Sequence, residues 1–132
     1  MATVTATLSL TSTDLVSDSL SMSVSASISA AHAVGISRAK ITSTAKGTSS
    51  GQVVLLTAAD WTPPSYLYVK NTSSSVSDLI YVYVTTGTDD PIIARIAGGG
   101  FAFIPCDNSA DLSCYASGSG VVVEYAVIGT EA

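Results

Sequence analysis

Charge is scarce in this chain of 132 residues. Only 11% of it is Asp, Glu, Lys or Arg, ten acids against five bases, for a net charge of −5. Nucleic-acid binding draws on a basic footprint that displaces counterions. Here Arg38, Lys40, Lys46, Lys70 and Arg95 are scattered, with only Arg38 and Lys40 close together, which argues against nucleic acid as a partner. Long apolar runs are missing too: none approaches the ~20 residues of a membrane-spanning helix, so no membrane partner is expected. Residues 1 to 5 carry no basic segment followed by an apolar one, so no secretory leader is expected and synthesis is placed in a cytoplasm. Cysteine is limited to Cys106 and Cys114, and histidine to His32. With no C-x-x-C pair, a zinc site is short of ligands, and a cytoplasmic chain keeps its thiols reduced. No metal and no cofactor are expected.

Chemistry-bearing constellations are equally sparse. His32 stands in Ala-Ala-His-Ala-Val with no carboxylate or nucleophile beside it, and a general base needs such partners. Gly98-Gly99-Gly100 is followed by Phe101 and a strand pattern, not by the Lys-Ser/Thr and helix of a phosphate loop. No Gly-x-Ser-x-Gly elbow occurs. Asp89, Asp90, Asp107 and Asp111 are oxygen donors of the kind calcium takes, but they sit in turn segments where Asp bonds its own backbone. Glu124, inside Val-Val-Val-Glu-Tyr, is expected to face solvent or to meet Arg95 or Lys70. Asn71-Thr72-Ser73 matches a glycosylation sequon and reads as a turn. The chain is therefore not expected to be an enzyme.

What is abundant is alternation. Ser and Thr exceed a quarter of the chain and 47% of residues are hydrophobic. Between 19 and 29 every odd position is Ser, while Leu20, Met22, Val24, Ala26 and Ile28 fill the even ones. A period of two over that length describes a strand with one apolar and one hydroxyl face. Residues 3 to 13 alternate more loosely, with Val4, Ala6, Leu8 and Leu10 on one parity, and read as a first strand or extended arm. Arg38 and Lys40 share a face of the segment 36 to 44 and would blunt an exposed edge. Tyr66 to Lys70 and Leu79 to Val84 flank a small polar segment and read as a central hairpin with cross-strand tyrosine pairs. Further strand patterns follow at 92–96, 101–104, 111–116 and 121–129, punctuated by turn residues.

Nine or ten short strands at this spacing predict an all-β, antiparallel β-sandwich, jelly-roll-like in topology. The expected division is an N-terminal arm or first strand over 1–18 and a sandwich over 19–132. Ala58 to Ser65 contains Pro63 and Pro64, expected to interrupt regular pairing. Trp61 beside these prolines reads either as a plug for one end of the sandwich or, with Pro63, Pro64 and Tyr66, as an interface anchor.

Several stretches together carry a resemblance. Leu10 to Leu15 precedes an alternating strand, then come Gly35-Ile36-Ser37-Arg38, Tyr68-Val69-Lys70-Asn71-Thr72, the segment from Gly99 to Pro105 with its Phe-Ala-Phe, and Val123-Glu124-Tyr125. This order, over residues 8 to 128, resembles small virion proteins of tailed bacteriophages of the cyanobacterial and marine type. The resemblance implies a structural protein, foremost a capsid decoration (cement) protein on the head surface. Its partners would be the major capsid protein and neighbouring copies of itself in a homo-oligomer, with no catalytic residue. A tail, neck or fibre component, or a carbohydrate-binding module stacking sugars on Trp61, Tyr66 or Tyr115, is the alternative.

Overall fold

The alternating segments become strands. The computed structural model describes residues 2–14, 19–30, 32–33, 35–47 and 50–132. Along them run β1 (Ala2–Ser12), β2 (Leu20–Ala30), β3 (His32–Ala33), β4 (Ser37–Ile41), β5 (Val53–Leu56), a 3-10 turn (Ala58–Asp60), β6 (Trp61–Asn71), β7 (Leu79–Thr85), β8 (Ile92–Ala97), β9 (Phe101–Cys106), β10 (Asp111–Ala116) and β11 (Val121–Glu131). Among the described residues there is no α-helix. The chain divides into two compact units, residues 1–31 and 32–132. The boundary expected after residue 18 thus moves: β2, expected to open the sandwich, pairs with β1 instead.

The first unit is an antiparallel hairpin in unbroken register from Ala2↔Ala30 to Ser12↔Leu20. Directly opposed residues of an antiparallel pair lie on the same face. Val4, Ala6, Leu8 and Leu10 therefore share a face with Ile28, Ala26, Val24 and Met22. The other face is built of five opposed hydroxyl pairs, Thr3↔Ser29 through Thr11↔Ser21. Thr7 and Ser25 are hydrogen-bonded at 2.9 Å, and Ser9 donates to Ser23 at 3.3 Å.

The second unit is the expected sandwich. One sheet has the order β5-β10-β7-β8, the other β3-β11-β6-β9, with β4 also on β11. The pairings β4·β11, β5·β10, β6·β9 and β7·β8 are nested, first strand with last, and every ladder is antiparallel. A long hairpin rolled into two four-stranded sheets is the jelly-roll arrangement. Leu67, Val69 and Val123 from one sheet and Ile80, Val82 and Cys114 from the other are wholly buried between them. Arg38 and Lys40 lie exposed on β4 at a sheet margin, as their shared parity implied.

Two expectations are corrected. Residues 66–70 and 79–84 do not pair: β6 bonds β11 and β9, while β7 bonds β10 and β8. The polar segment between them crosses from one sheet to the other, because Leu67 and Val69 on one side and Ile80 and Val82 on the other all need the same interior. Asn71 fixes this corner. It is fully buried, its amide donating to the carbonyls of Asp78 (2.7 Å) and Ile96 (3.1 Å) and its carbonyl accepting from the Ser73 N–H (3.1 Å). Its burial closes the sequon to modification in the folded chain. Gly98 packs against this corner, where an added methyl would overlap the Ser75 carbonyl.

The second correction is narrower: Pro63 and Pro64 do interrupt regular pairing, but they lie inside β6 and do not end it. Pairing with β11 continues through Thr62↔Thr130 and Trp61↔Glu131 after a register shift between Ile128 and Thr130. The irregularity falls opposite the prolines, where a ladder donor is missing on β6. The Pro63–Pro64 peptide is cis.

Candidate interaction surfaces

The residues nominated as an anchor separate in the structure. Trp61 is only 7% exposed and belongs to the core cluster, in keeping with a plug at the end of the sandwich. Its backbone carbonyl accepts from the Asn108 amide at 3.0 Å, and the Asn108 carbonyl accepts from Ser65. A cleft of about 500 Å³ opens beside it, lined by Leu56, Asp60, Tyr125, Val127 and Glu131 among others. Pro63 and Pro64 are exposed and border a separate shallow surface with Pro105, Cys106 and Asp107. Tyr66 is half-buried and stacks on Phe103, ring centroids 5.6 Å apart. Tyr115, the third candidate sugar platform, stacks on Tyr81 at 4.8 Å, and Arg95 lies over Tyr81. Tyr66 and Tyr115 each already have a ring partner within the chain.

The turn carboxylates serve the backbone. Asp90, at positive φ, accepts from the N–H groups of Thr86 (2.8 Å) and Gly87 (2.9 Å), which hold its pKa below the usual value, with Lys46 assisting. Asp107 accepts from the Ser109 N–H and hydroxyl, again lowering its pKa. Asp111 accepts from the Ala58 N–H at 2.8 Å. Among the described residues no three His, Cys, Asp or Glu side chains converge. Both cysteines are free thiols, and burial raises both pKa values, that of Cys114 to about 12. The side chain of His32 lies outside the described residues.

Glu124 meets Arg38 rather than Arg95. The two are opposed across β11 and β4, with the guanidinium Nε at 2.8 Å and Nη2 at 2.7 Å from the carboxylate. Tyr68 donates its hydroxyl to the same carboxylate at 3.1 Å. Lys70, the other expected neighbour, is opposed to Glu124 on β6 and adds to the lowering of its pKa. Arg95 stands on the other sheet over Tyr81.

Two exposed apolar rows lie elsewhere. On β9, Ala102, Ile104 and Cys106 pack against the core, and Phe101 and Phe103 point outward, 63% and 38% exposed. Sequence reasoning gave no role to those rings. The available signal was the parity itself, since the strand opposes one row of aromatics to one of smaller residues. The hairpin face is the other: Leu8, Leu10, Leu20, Met22 and Val24 are each 36–54% exposed. Exposed apolar rows of this kind mark interaction sites more often than isolated exposed residues do. Tyr83 shows the contrasting case, an outward tyrosine fully buried because its hydroxyl bonds Gln52 and the Gly47 N–H in the segment preceding β5. No family model, curated protein or solved structure matches this chain.

Proposed function

We propose that this chain is a non-enzymatic structural protein of a phage particle, a decoration (cement) protein on the outer surface of the head that binds the major capsid protein. The observation that carries the structural reading is the division of labour between the two units. A sandwich with a closed, polar-satisfied interior is joined to a hairpin whose apolar face is open and whose strands carry no charge. Such a chain offers rigid shape and contact area. The resemblance over residues 8 to 128 supports the phage assignment. A cement protein acts in many copies, so individually weak contacts suffice when several operate together.

Quantitative mass spectrometry of purified particles, scaled to the major capsid protein, tests this. Hundreds of copies per particle are expected. Copies in sixes or twelves would move the chain to the tail, neck or a fibre, and absence from particles would overturn the virion reading.

A further inference from the structure

We propose that the apolar face of the β1–β2 hairpin is the surface through which copies of this chain associate, hairpin against hairpin. The inference deepens the structural reading and rests on it only in expecting many copies together. A two-stranded sheet by itself is marginal in water. This one keeps a regular ladder of eleven residues per strand. Ile28 is buried and Val4 half-buried, but toward the turn Leu8, Leu10, Leu20, Met22 and Val24 stand open.

The chemistry of the face specifies its occupant. Between 2 and 12 and between 20 and 30 there is no charged residue, proline or glycine. A partner that set a charge or an unpaired polar group against this row would bury it at a cost. A second copy of the same hairpin sets no charge from its strands there, and the row's one hydroxyl, Ser12 opposite Leu20, already donates to Asp14. The second copy matches the row in length, and the pair turns both hydroxyl faces to water, each already bonded across the strands at Thr7–Ser25 and Ser9–Ser23.

The dimensions agree with association that is reversible in isolation. Eleven residues span ~36 Å, and two strands present a face ~10 Å wide, so one face covers about 360 Å². Two faces then bury about 700 Å² and three in a prism about 1,100 Å², at or below the lower end of stable interfaces. Repetition on a particle would strengthen such contacts. A lipid bilayer is the other apolar environment that would accept the face. A lone hairpin would carry unpaired edge N–H and C=O groups into hydrocarbon, so even that route needs neighbouring copies first.

Sedimentation of the purified full chain from about 5 to 200 µM tests the proposal. The wild type is expected to shift from monomer toward dimer or trimer. Leu10→Lys with Met22→Glu places opposite charges across one strand pair, which preserves the hairpin and charges its apolar face. Association should weaken by about 100-fold or more. Ser9→Glu with Ser23→Lys puts the same pair on the hydroxyl face and should associate like the wild type. A cysteine at Val24 should give an oxidised dimer, and one at Ser23 should not, a readout independent of the charge variants. A wild type monomeric throughout, equal association of the Leu10/Met22 variant, or loss of association in both charge variants would overturn the proposal. So would association only on phosphatidylcholine vesicles, which would name lipid as the occupant. None of these outcomes alters the copy number in particles, so the two readings fail separately.

Discussion

The hairpin and the sandwich are written in the same period-two alternation and end in opposite conditions. In the sandwich each inward row meets another row: Leu67, Val69, Ile80 and Val82 are fully buried. In the hairpin Leu8 and Leu10 remain 42% exposed and Val24 54%. Alternation tells a strand that it has two faces, and it does not say which second sheet will cover the apolar one. That cover comes from the same chain in one unit and, by the proposal above, from another copy in the other. The charges divide likewise. All five bases lie at residue 38 or beyond, whereas the hairpin strands have none.

Truncating matched leucines should break the symmetry between the units most visibly. Leu67→Ala leaves a cavity in a packed interior and is expected to cost about 2–5 kcal/mol of unfolding free energy. Asn71→Ala leaves two carbonyls and one N–H at the corner without their partner and should cost about 3 kcal/mol or more. Leu8→Ala removes a side chain that is already solvated and should change the monomer by less than about 0.5 kcal/mol. Denaturant melts of the three variants decide this. Equal losses at Leu8 and Leu67 would mean that the hairpin is part of the core.

Removing the hairpin outright is the next test. A chain of residues 32–132 should unfold in one cooperative transition, because its core cluster is drawn entirely from its own strands, while losing concentration-dependent association. A broad, non-cooperative melt would show instead that residues 1–31 complete the sandwich.

The sandwich was legible because its signals are local. β-branched and aromatic runs, a parity of burial and closely spaced turn residues specify an antiparallel sandwich without reference to partners. Strand pairing was less legible. Residues 66–70 and 79–84 flank a turn-like segment, as a hairpin would, yet the turn is a sheet-to-sheet corner held by Asn71, whose amide reaches Ile96 far along the chain. Burial on both sides of the turn favours crossing, and only the completed core reveals that. Trp61 and Tyr66 were nominated together because they are close in sequence, but the Trp61 side chain packs in the core and Tyr66 stacks with Phe103. Phe101 and Phe103 were given no facing, because the parity of a six-residue strand does not say which row turns inward; the core takes Ala102, Ile104 and Cys106. The pairing of β1 with β2 needed the register between two segments, each of which was read correctly alone as alternating.

The smallest effect belongs to Glu124 and separates surface electrostatics from the packing that distinguishes the two units. Arg38 and Tyr68, by their hydrogen bonds, and then the charges of Arg38 and Lys70 hold its pKa below the usual value. A carboxyl whose pKa is depressed by folding contributes stability above its unfolded pKa and loses that contribution as the pH falls through the folded one. Glu124→Gln removes the titrating group and leaves the fold. The wild type should therefore melt higher than the variant at neutral pH, and the gap should close on acidification below about pH 4.5, the ordinary range of a glutamate. Asp90 and Asp107 also titrate low in the folded chain, but they do so in both proteins and cancel in the difference. The gap should also narrow with added salt, since Arg38 is 69% exposed and exposed pairs are weak and screened. A gap that stays constant from pH 6 to pH 3 would show that Glu124 matters through packing on β11 and not through its charge.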